Sequence, residues 1–393
     1  MLQYTIVGKK FRQDFNFKRG RNMLSKTLRF IKKNTVFCVA ALAAIITSFI
    51  VPPDIKYLDY FDWSTLACLF LTLAVVCALR NIKFFTILAR KMVQITGSLR
   101  TLFLMLIVIT FVGSLLIAND MALITFLPLG YFALSAVKME KYMAYLFILQ
   151  NISANLGGML TPFGNPQNLY LYSYFNIPTG EFMSIMFWPF LLAIALLVIA
   201  CFFVKNVKLK IDEEFPEKLS IKRTTLYLIL FAFSLLIVFR VIPFWVGLIL
   251  VPVILYFVDK ESLLMVDYPL LGTFFFFFIF SGNLGRIEAV NAFFSYLLNW
   301  DTLLVSIISC QGISNVPTAI LLSHFTNDYH SLLLGVNIGG TGTLIASLAS
   351  LITFSEFRIL YPGHGKKYFW MFTLINVIFL VIMTLAAKFI FLA

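Results

Sequence analysis

Ala154-Asn155-Leu156-Gly157-Gly158-Met159-Leu160-Thr161 recurs later in the chain as Val336-Asn337-Ile338-Gly339-Gly340-Thr341-Gly342-Thr343. Each copy follows a polar interruption of an apolar run, Asn119-Asp120 before the first and Ser314-Asn315 before the second. Hydrophobic segments broken by glycine or proline at corresponding places in two halves of a chain point to the binding site of a secondary transporter. Pro162 and Pro166, with Gly164 between them, cannot lie in an uninterrupted helix, because each proline removes an amide donor and crowds the preceding turn. Glycine at such a break frees backbone groups that a bound ion could satisfy.

The surrounding composition sets where this device must work. The chain has 393 residues, 61% hydrophobic and 12% charged, with a mean hydropathy of +0.92. Those values exclude an ordinary soluble domain and imply an all-α polytopic membrane protein. Polar breaks are too short to hold an independent folded domain, so any chemistry belongs within the bilayer or at its faces. Cys38, Cys68, Cys77, Cys201 and Cys310 lie in apolar segments without a CxxC pair, which reads as buried bulk and not as a disulfide or zinc framework.

The net charge of +13 reports orientation, not nucleic acid. Residues 1–33, with no apolar signal-peptide region ahead of the charges, are expected to be a basic cytosolic arm near anionic lipid. Crossings are expected at 35–51, 63–79, 141–177 (broken), 182–204, 225–241, 244–258, 269–282, 331–355 (broken) and 368–391. Segments 101–137 and 303–326, polar near their middles, are expected as re-entrant hairpins, since irregular backbone at membrane depth survives only where protein or a wet cavity surrounds it. With the N-terminus inside, all Lys and Arg except Lys56, Arg240, Arg286 and Lys388 fall on the inner side. The expected location is the plasma membrane, with the N-terminus cytoplasmic and the C-terminus outside.

Phe61-Asp62-Trp63-Ser64-Thr65-Leu66 and Val266-Asp267-Tyr268-Pro269-Leu270-Leu271 open matching spans, each followed by an amphipathic stretch, 82–98 and 284–299. Nine crossings and two hairpins therefore divide into inverted repeats, 34–204 and 225–393, joined by a cytosolic linker at 205–224.

Within the repeats, a hairpin tip sets the carbonyl end of one helix beside the amide end of the next. Orphan carbonyls and an Asn oxygen suit a cation; orphan N–H groups suit an anion. Candidate substrate and ion ligands are Asn119, Asp120, Thr161, Pro162, Gly164, Asn165, Ser314, Asn315, Thr341, Gly342 and Thr343. The plain alternative for the Gly-Gly pairs is close helix packing. Asp120 is expected as the one acidic residue at membrane depth, where an ionisable group implies a proton or cation role. A helix N-cap ahead of Met121 is the alternative. No Lys or Arg is expected at that depth. His324, His330 and His364 are scattered, and Pro362-Gly363-His364-Gly365-Lys366-Lys367 lacks the phosphate-loop pattern, so energy must come from an ion gradient.

At these residues the chain resembles the ion transporter superfamily, which includes divalent anion:sodium symporters, citrate transporters, arsenite-efflux permeases and some sodium/proton antiporters. Ser314-Asn315-Val316-Pro317 is similar to the Ser-Asn-Thr hairpin signature of the dicarboxylate symporters, and Gly339-Gly340-Thr341-Gly342-Thr343 to their broken-helix motif. Asn119-Asp120 and Thr161-Pro162-Phe163-Gly164-Asn165-Pro166 look closer to the arsenite and citrate branches. The first tip reads Ala118-Asn119-Asp120, and Ala346-Ser347-Leu348-Ala349-Ser350 lacks the Gly-x-Pro-x-Asn character of its partner. The resemblance implies a homodimer, elevator-like movement of a hairpin-bearing unit, and cation sites near Asn119 and Asn315. The expected function is secondary active transport of a small anion, a carboxylate first, coupled to sodium or protons without a cofactor. Arsenite efflux or sodium/proton antiport is the alternative within transport, and a gated channel the alternative of another class. An enzyme is not expected, because no HExxH and no paired catalytic groups at one depth are present.

Overall fold

The computed structural model describes Phe30 and residues 34–94, 96–209 and 219–392. The rest of the basic arm and the middle of the 205–224 linker lie outside the described residues. Before the linker come α1 (Thr35–Ile50), α2 (Trp63–Asn81), α3 (Phe84–Gln94), α4 (Leu99–Leu116), α5 (Asn119–Ala136), α6 (Met143–Gly157), α7 (Pro166–Tyr174) and α8 (Thr179–Phe202). After it come α9 (Ile221–Val238), α10 (Phe244–Leu264), α11 (Tyr268–Gly285), α12 (Glu288–Ile313), α13 (Asn315–Leu322), α14 (Tyr329–Ile338), α15 (Leu348–Leu360) and α16 (Gly365–Ala386). Among the described residues the only β-pairing is an isolated bridge between Ser98 and Lys208.

Short polar side chains start these helices by accepting from orphan first-turn amides. Asp62 Oδ1 accepts from Thr65 N at 3.0 Å to open α2, and Asp267 Oδ1 accepts from Leu270 N at 3.0 Å to open α11. Ser98 and Thr101 form a reciprocal capping box on α4. The same chemistry breaks two long runs. Asp301 (φ −166°, ψ 95°) leaves the helical region inside α12 and accepts from Leu304 N at 3.0 Å. The amphipathic stretch through Trp300 is thereby separated from the apolar segment that begins at Thr302. Asp259 (φ −158°, ψ 69°) does likewise in α10, ending the apolar run expected over 244–258.

Seven helices among the described residues are long and apolar enough to cross a membrane. Five match the expected crossings at 63–79, 182–204, 225–241, 269–282 and 368–391; the other two are α4 and the whole of α12. The remaining apolar helix of note, α1, is shorter. The chain is a polytopic helical membrane protein, and burial shows which helices meet lipid. The apolar window of α2 is 67% buried, whereas those of α9 and α16 are 28% buried. Trp188, Ile199 and Phe202 on α8, and Ile249, Val253 and Phe257 on α10, are exposed apolar side chains, as a surface against lipid or a partner chain requires.

Packing is selective. α1 lies along α11 and α2 along α10, with α9 completing the second pair. The remaining helices collect around α6 and α14: α4, α5 and α8 pack on the first, α12, α13 and α16 on the second. The Arg286 guanidinium at the end of α11 grips Asp54 at 2.7 and 2.9 Å, holding its carboxyl below the ordinary carboxylate value. Because the folded-state value is lowered, that contribution is present above the ordinary carboxylate range and is lost as pH falls below it.

Between α6 and α7 the chain runs as a short 3₁₀ turn and an irregular stretch to Asn165. A Cβ on Gly164 would meet the Gly158 carbonyl oxygen at 2.3 Å, and one on Gly158 would meet the Gly164 oxygen at 2.9 Å. Both contacts are with backbone, which cannot swing aside. Gly164→Ala is therefore expected to destabilise the fold by about 1–3 kcal/mol through overpacking. Thermal unfolding in detergent checks this, and an unchanged melting temperature would contradict the close approach.

Candidate functional site

The two tips are built alike. Between α4 and α5 the chain leaves the helical conformation at Ile117 and Ala118, and Asn119 opens α5 with its Oδ1 accepting from Asp120 N at 2.9 Å. Between α12 and α13 it does so at Ser314, and Asn315 Oδ1 accepts from Val316 N, also at 2.9 Å. Each tip is tied to a broken segment by one threonine at matching repeat positions. Thr161 Oγ1 donates to Leu115 O at 3.0 Å, and Thr343 Oγ1 donates to Gln311 O at 3.0 Å. In both cases the acceptor lies four residues before the tip asparagine. Ser314 sits at φ 74°, ψ 157°, a region that costs a non-glycine residue of order 1–3 kcal/mol and persists where surrounding contacts enforce it. Here Asn315 N and Ser314 Oγ both donate to Ala346 O, at 3.0 and 3.4 Å.

The breaks converge on carboxamides. Asn119 Nδ2 donates to Asn155 Oδ1 at 3.0 Å, bringing the first tip onto the end of α6. Asn165 Nδ2 donates to Asn155 O at 3.1 Å and, more weakly, to Asn337 Oδ1 at 3.4 Å. Gln167 Nε2 reaches the same Asn337 oxygen at 3.4 Å, while Asn337 Nδ2 donates to Asn168 Oδ1 at 2.7 Å. Thus the repeated asparagines, Asn155 and Asn337, are joined through the α6–α7 break.

Carboxamide donors also occupy the freed carbonyls. Asn168 Nδ2 donates to Gly158 O, Met159 O and Thr161 O at 3.1–3.3 Å. In the second half Gln311 Nε2 donates to Gly339 O at 2.9 Å and Thr341 O at 3.1 Å, and Gln311 Oε1 accepts from Thr343 N. Gly342, at φ 116°, leaves room for this glutamine, since a Cβ there would stand 2.3 Å from Gln311 Oε1. Thr341 Oγ1 closes on Ile338 O at 2.6 Å and belongs to the helix end.

Several buried polar atoms in this centre have no partner: Asn155 Nδ2, Asn165 Oδ1, Gln167 Oε1 and Asp120 Oδ1. An unsatisfied buried polar group costs about 1–3 kcal/mol, which marks the cluster as more than packing. Two of the amide atoms are acceptors and one is a donor, a set able to take a cation or a hydroxyl-bearing solute. Asp120 stands in the first turn of α5, not ahead of it, and its carboxylate makes no capping bond; Ala118 holds the N-cap position. The capping role is therefore not what Asp120 does, although its charge still lies at the favourable end of a helix dipole.

Among the sequence-derived site residues, Asn119, Thr161, Ser314, Asn315 and Thr343 join the tips to the breaks, Asn165 links Asn155 to Asn337, and Gly164 and Gly342 permit close approaches. For Pro162 and Thr341 the geometry gives only local turn roles. Asn155, Gln167, Asn168, Gln311 and Asn337 are not among the residues singled out from the sequence, although Gln167 and Asn168 belong to the first broken segment. The repeated Asn-x-Gly-Gly could have found two of them, had the asparagine been weighed beside the glycines.

Two further charged side chains are drawn into the protein. Asp259 is a second buried acid, held by Asn81 Nδ2 at 2.9 and 3.0 Å and by Tyr227 OH at 3.1 Å. Arg80 lies in the last turn of a membrane-spanning helix, α2, and its Nη1 reaches Met121 Sδ at 3.6 Å beside the first tip. Both were hidden by their place at the end of an apolar run, next to loop charges. Among the described residues no group of three His, Cys, Asp or Glu could hold a metal ion.

Comparison with known proteins agrees with this architecture. A family model described as citrate transporter matches residues 23–328. An uncharacterized transporter of Methanocaldococcus jannaschii is 33% identical over 321 residues, covering 81% of this chain and 87% of the relative. The inner membrane protein YbiR of Escherichia coli is 28% identical over 362 residues, covering 89% of this chain and 93% of the relative.

Proposed function

Since the chain belongs to the citrate transporter family, we propose that this membrane transporter moves a small anion, a carboxylate first, coupled to sodium or protons. The observation that carries the reading is the pair of asparagine tips, each tied by its threonine to a broken segment and meeting through Asn155, Asn165 and Asn337. A ligand held between two such elements sits where both halves can grip and release it.

In this reading the chain is an inverted repeat. Matching α1 to α10 and α2 to α11 exchanges the α1–α11 contact with the α10–α2 contact. Matching α6 to α14, and α7 to α15, exchanges α15–α6 with α7–α14. The α4/α5 pair and the Thr302–Leu322 pair are re-entrant hairpins entering from opposite faces. α1, α2, α9, α10 and α11 form a scaffold against which the hairpins and breaks move together. Scaffold contacts to that moving unit run through α7 and α13, with Arg240 over the Tyr172 ring at 4.2 Å and bonded to Asn176 Oδ1. No contact of comparable extent joins α2 to α5 or α11 to α15, the two pairings that repeat symmetry assigns to the other transport state. The coupling ion is taken up near Asn119 and Asp120, and near Asn315.

A second reading, arsenite efflux or sodium/proton exchange, draws on the same Asp120: it is the charged residue of the two tip sequences, and a carboxylate there favours cation or proton handling. One experiment separates these. Purified protein in liposomes is given labelled citrate, succinate or arsenite under an imposed sodium or pH gradient. Uphill accumulation of a carboxylate, collapsed by the matching ionophore, is the expected result. Downhill flux at channel-like rates, indifferent to the gradient, would overturn it.

A further inference from the structure

We propose that Arg80 is the anchor of an oxyanion-binding site, separate from the paired breaks, in the cavity between the end of α2, α3 and the outer face of α5. The cavity, about 190 Å³, is lined by Arg80, Thr86, Ile124, Thr125, Pro128, Leu129 and Phe132. Three elements thus line a partly open cavity that presents one guanidinium and two hydroxyls among apolar walls. The space exceeds that of several waters and admits a carboxylate or phosphate group.

Among the described residues no carboxylate lies within ion-pair distance of Arg80, and its one polar contact is the Met121 thioether. Asp259, the carboxylate bound by the adjacent Asn81, is fully engaged: Asn81 donates to both its oxygens, Tyr227 to one, and Ser262 N to the other at 3.3 Å. The dipole at the end of α2 contributes only about 0.3–1 kcal/mol to such a cation. A half-buried guanidinium with five donors and no acceptor is completed by a planar or tetrahedral oxyanion that can bind it through two oxygens. Snorkelling to lipid does not account for its position, because its side chain turns onto α5 and not away from the protein.

Pro128 sharpens the site. Inside α5 it has no N–H for the Ile124 carbonyl, and both residues line the cavity. Thr125 Oγ1 donates to Met121 O at 2.8 Å, so its hydroxyl has only acceptor capacity left for a guest. An oxyanion carrying a proton or hydroxyl, such as hydrogen phosphate or a hydroxycarboxylate, would use the donors of Arg80 and the remaining acceptor capacity of Thr125. The group comes either from a soluble anion or from a phospholipid headgroup. That a soluble occupant is cargo rests on the transport reading above; the binding site does not.

The test is equilibrium binding to the full chain purified in neutral detergent. Citrate, succinate, acetate and inorganic phosphate are titrated at constant ionic strength by thermal shift, with phosphatidylglycerol retention followed by native mass spectrometry. In wild type at least one soluble oxyanion or the lipid binds; Arg80→Gln weakens it at least tenfold, and Arg80→Lys falls between because it keeps charge but loses the two-donor fork. Loss confined to the soluble anions identifies a solute site, and loss confined to the lipid identifies a headgroup site; both support an oxyanion anchor. Equal binding by wild type and Arg80→Gln in both arms overturns it. Should Arg80→Gln not fold, Phe132→Trp in a chain with Arg80 intact places an indole at the cavity wall. Its emission must then respond to the oxyanion, and an invariant spectrum overturns the proposal. Failure of gradient-driven uptake with intact Arg80-dependent binding would sink the transport reading alone.

Discussion

Asp120→Asn abolishes the response of solute uptake to the driving-ion gradient and leaves the folded protein at least as stable as wild type. The first turn of α5 presents a carboxylate whose Oδ1 is buried without a partner, and no cation among the described residues lies within ion-pair distance. An uncompensated charge in that setting is costly, so the group gains most from taking up a proton or a metal cation. Asparagine preserves shape and some hydrogen bonding but can bind neither with charge neutralisation. For each ion coupled one to one, a tenfold gradient supports up to about tenfold accumulation, since 1.4 kcal/mol is a factor of ten. In the variant the accumulation ratio falls to about one whatever gradient is imposed. Proteoliposome uptake with sodium and pH gradients set independently measures this, alongside a melting curve. Wild-type uphill accumulation by the variant removes Asp120 from coupling.

Asn337→Leu has the larger structural cost. Leucine is close in size, so the loss is of bonds and not of volume. Gln167 Nε2 loses its acceptor, Asn165 Nδ2 keeps only Asn155 O, and Asn168 Oδ1 loses its 2.7 Å donor. Each buried group left unsatisfied costs about 1–3 kcal/mol, so the total is on the order of several kcal/mol. Because these bonds join the two breaks, uptake is expected to fall by about a hundredfold or more, a ratio equivalent to roughly 2.8 kcal/mol of lost stabilisation of the working geometry. Asn337→Gln, which keeps the carboxamide at the price of one methylene, recovers part of both. Uptake and thermal unfolding of the two variants side by side decide the matter. If Asn337→Leu matches wild type in both, the bridge between the breaks has no energetic role.

Much of this was readable along the chain because it depends on short-range chemistry. Asp62, Asp267 and Ser98 cap helices whose starts the apolar pattern marks, since a cap needs only an amide three residues on. Pro162, Gly164 and Gly342 announce backbone that cannot remain helical. The Asn119 and Asn315 tips are visible as polar residues in apolar runs. Thr161 and Thr343 were found through repetition of a motif, before their equivalent bonds to Leu115 and Gln311 could be known.

Linear order is silent where a residue's meaning lies in a distant partner. Asp301 and Asp259 resemble loop charges until they are seen to end one helix and start another. Gln311 is an ordinary polar residue near a helix end until the fold lays Gly339 and Thr341 against it. Arg80 counts among inner basic residues in any tally of charge, yet its guanidinium reaches the Met121 thioether in the first turn of α5.

By itself, then, the sequence determined that this is a helical membrane protein with two matched breaks and two asparagine tips, because hydropathy, capping and proline act within a few residues. Only the tertiary structure decided that Asn155 and Asn337 meet through Asn165, that Asn168 and Gln311 fill the freed carbonyls, and that Arg80 faces a cavity. The physical reason is range: a hydrogen bond reaches about 3 Å, and which atoms come that close is set by helix packing between segments far apart in the chain.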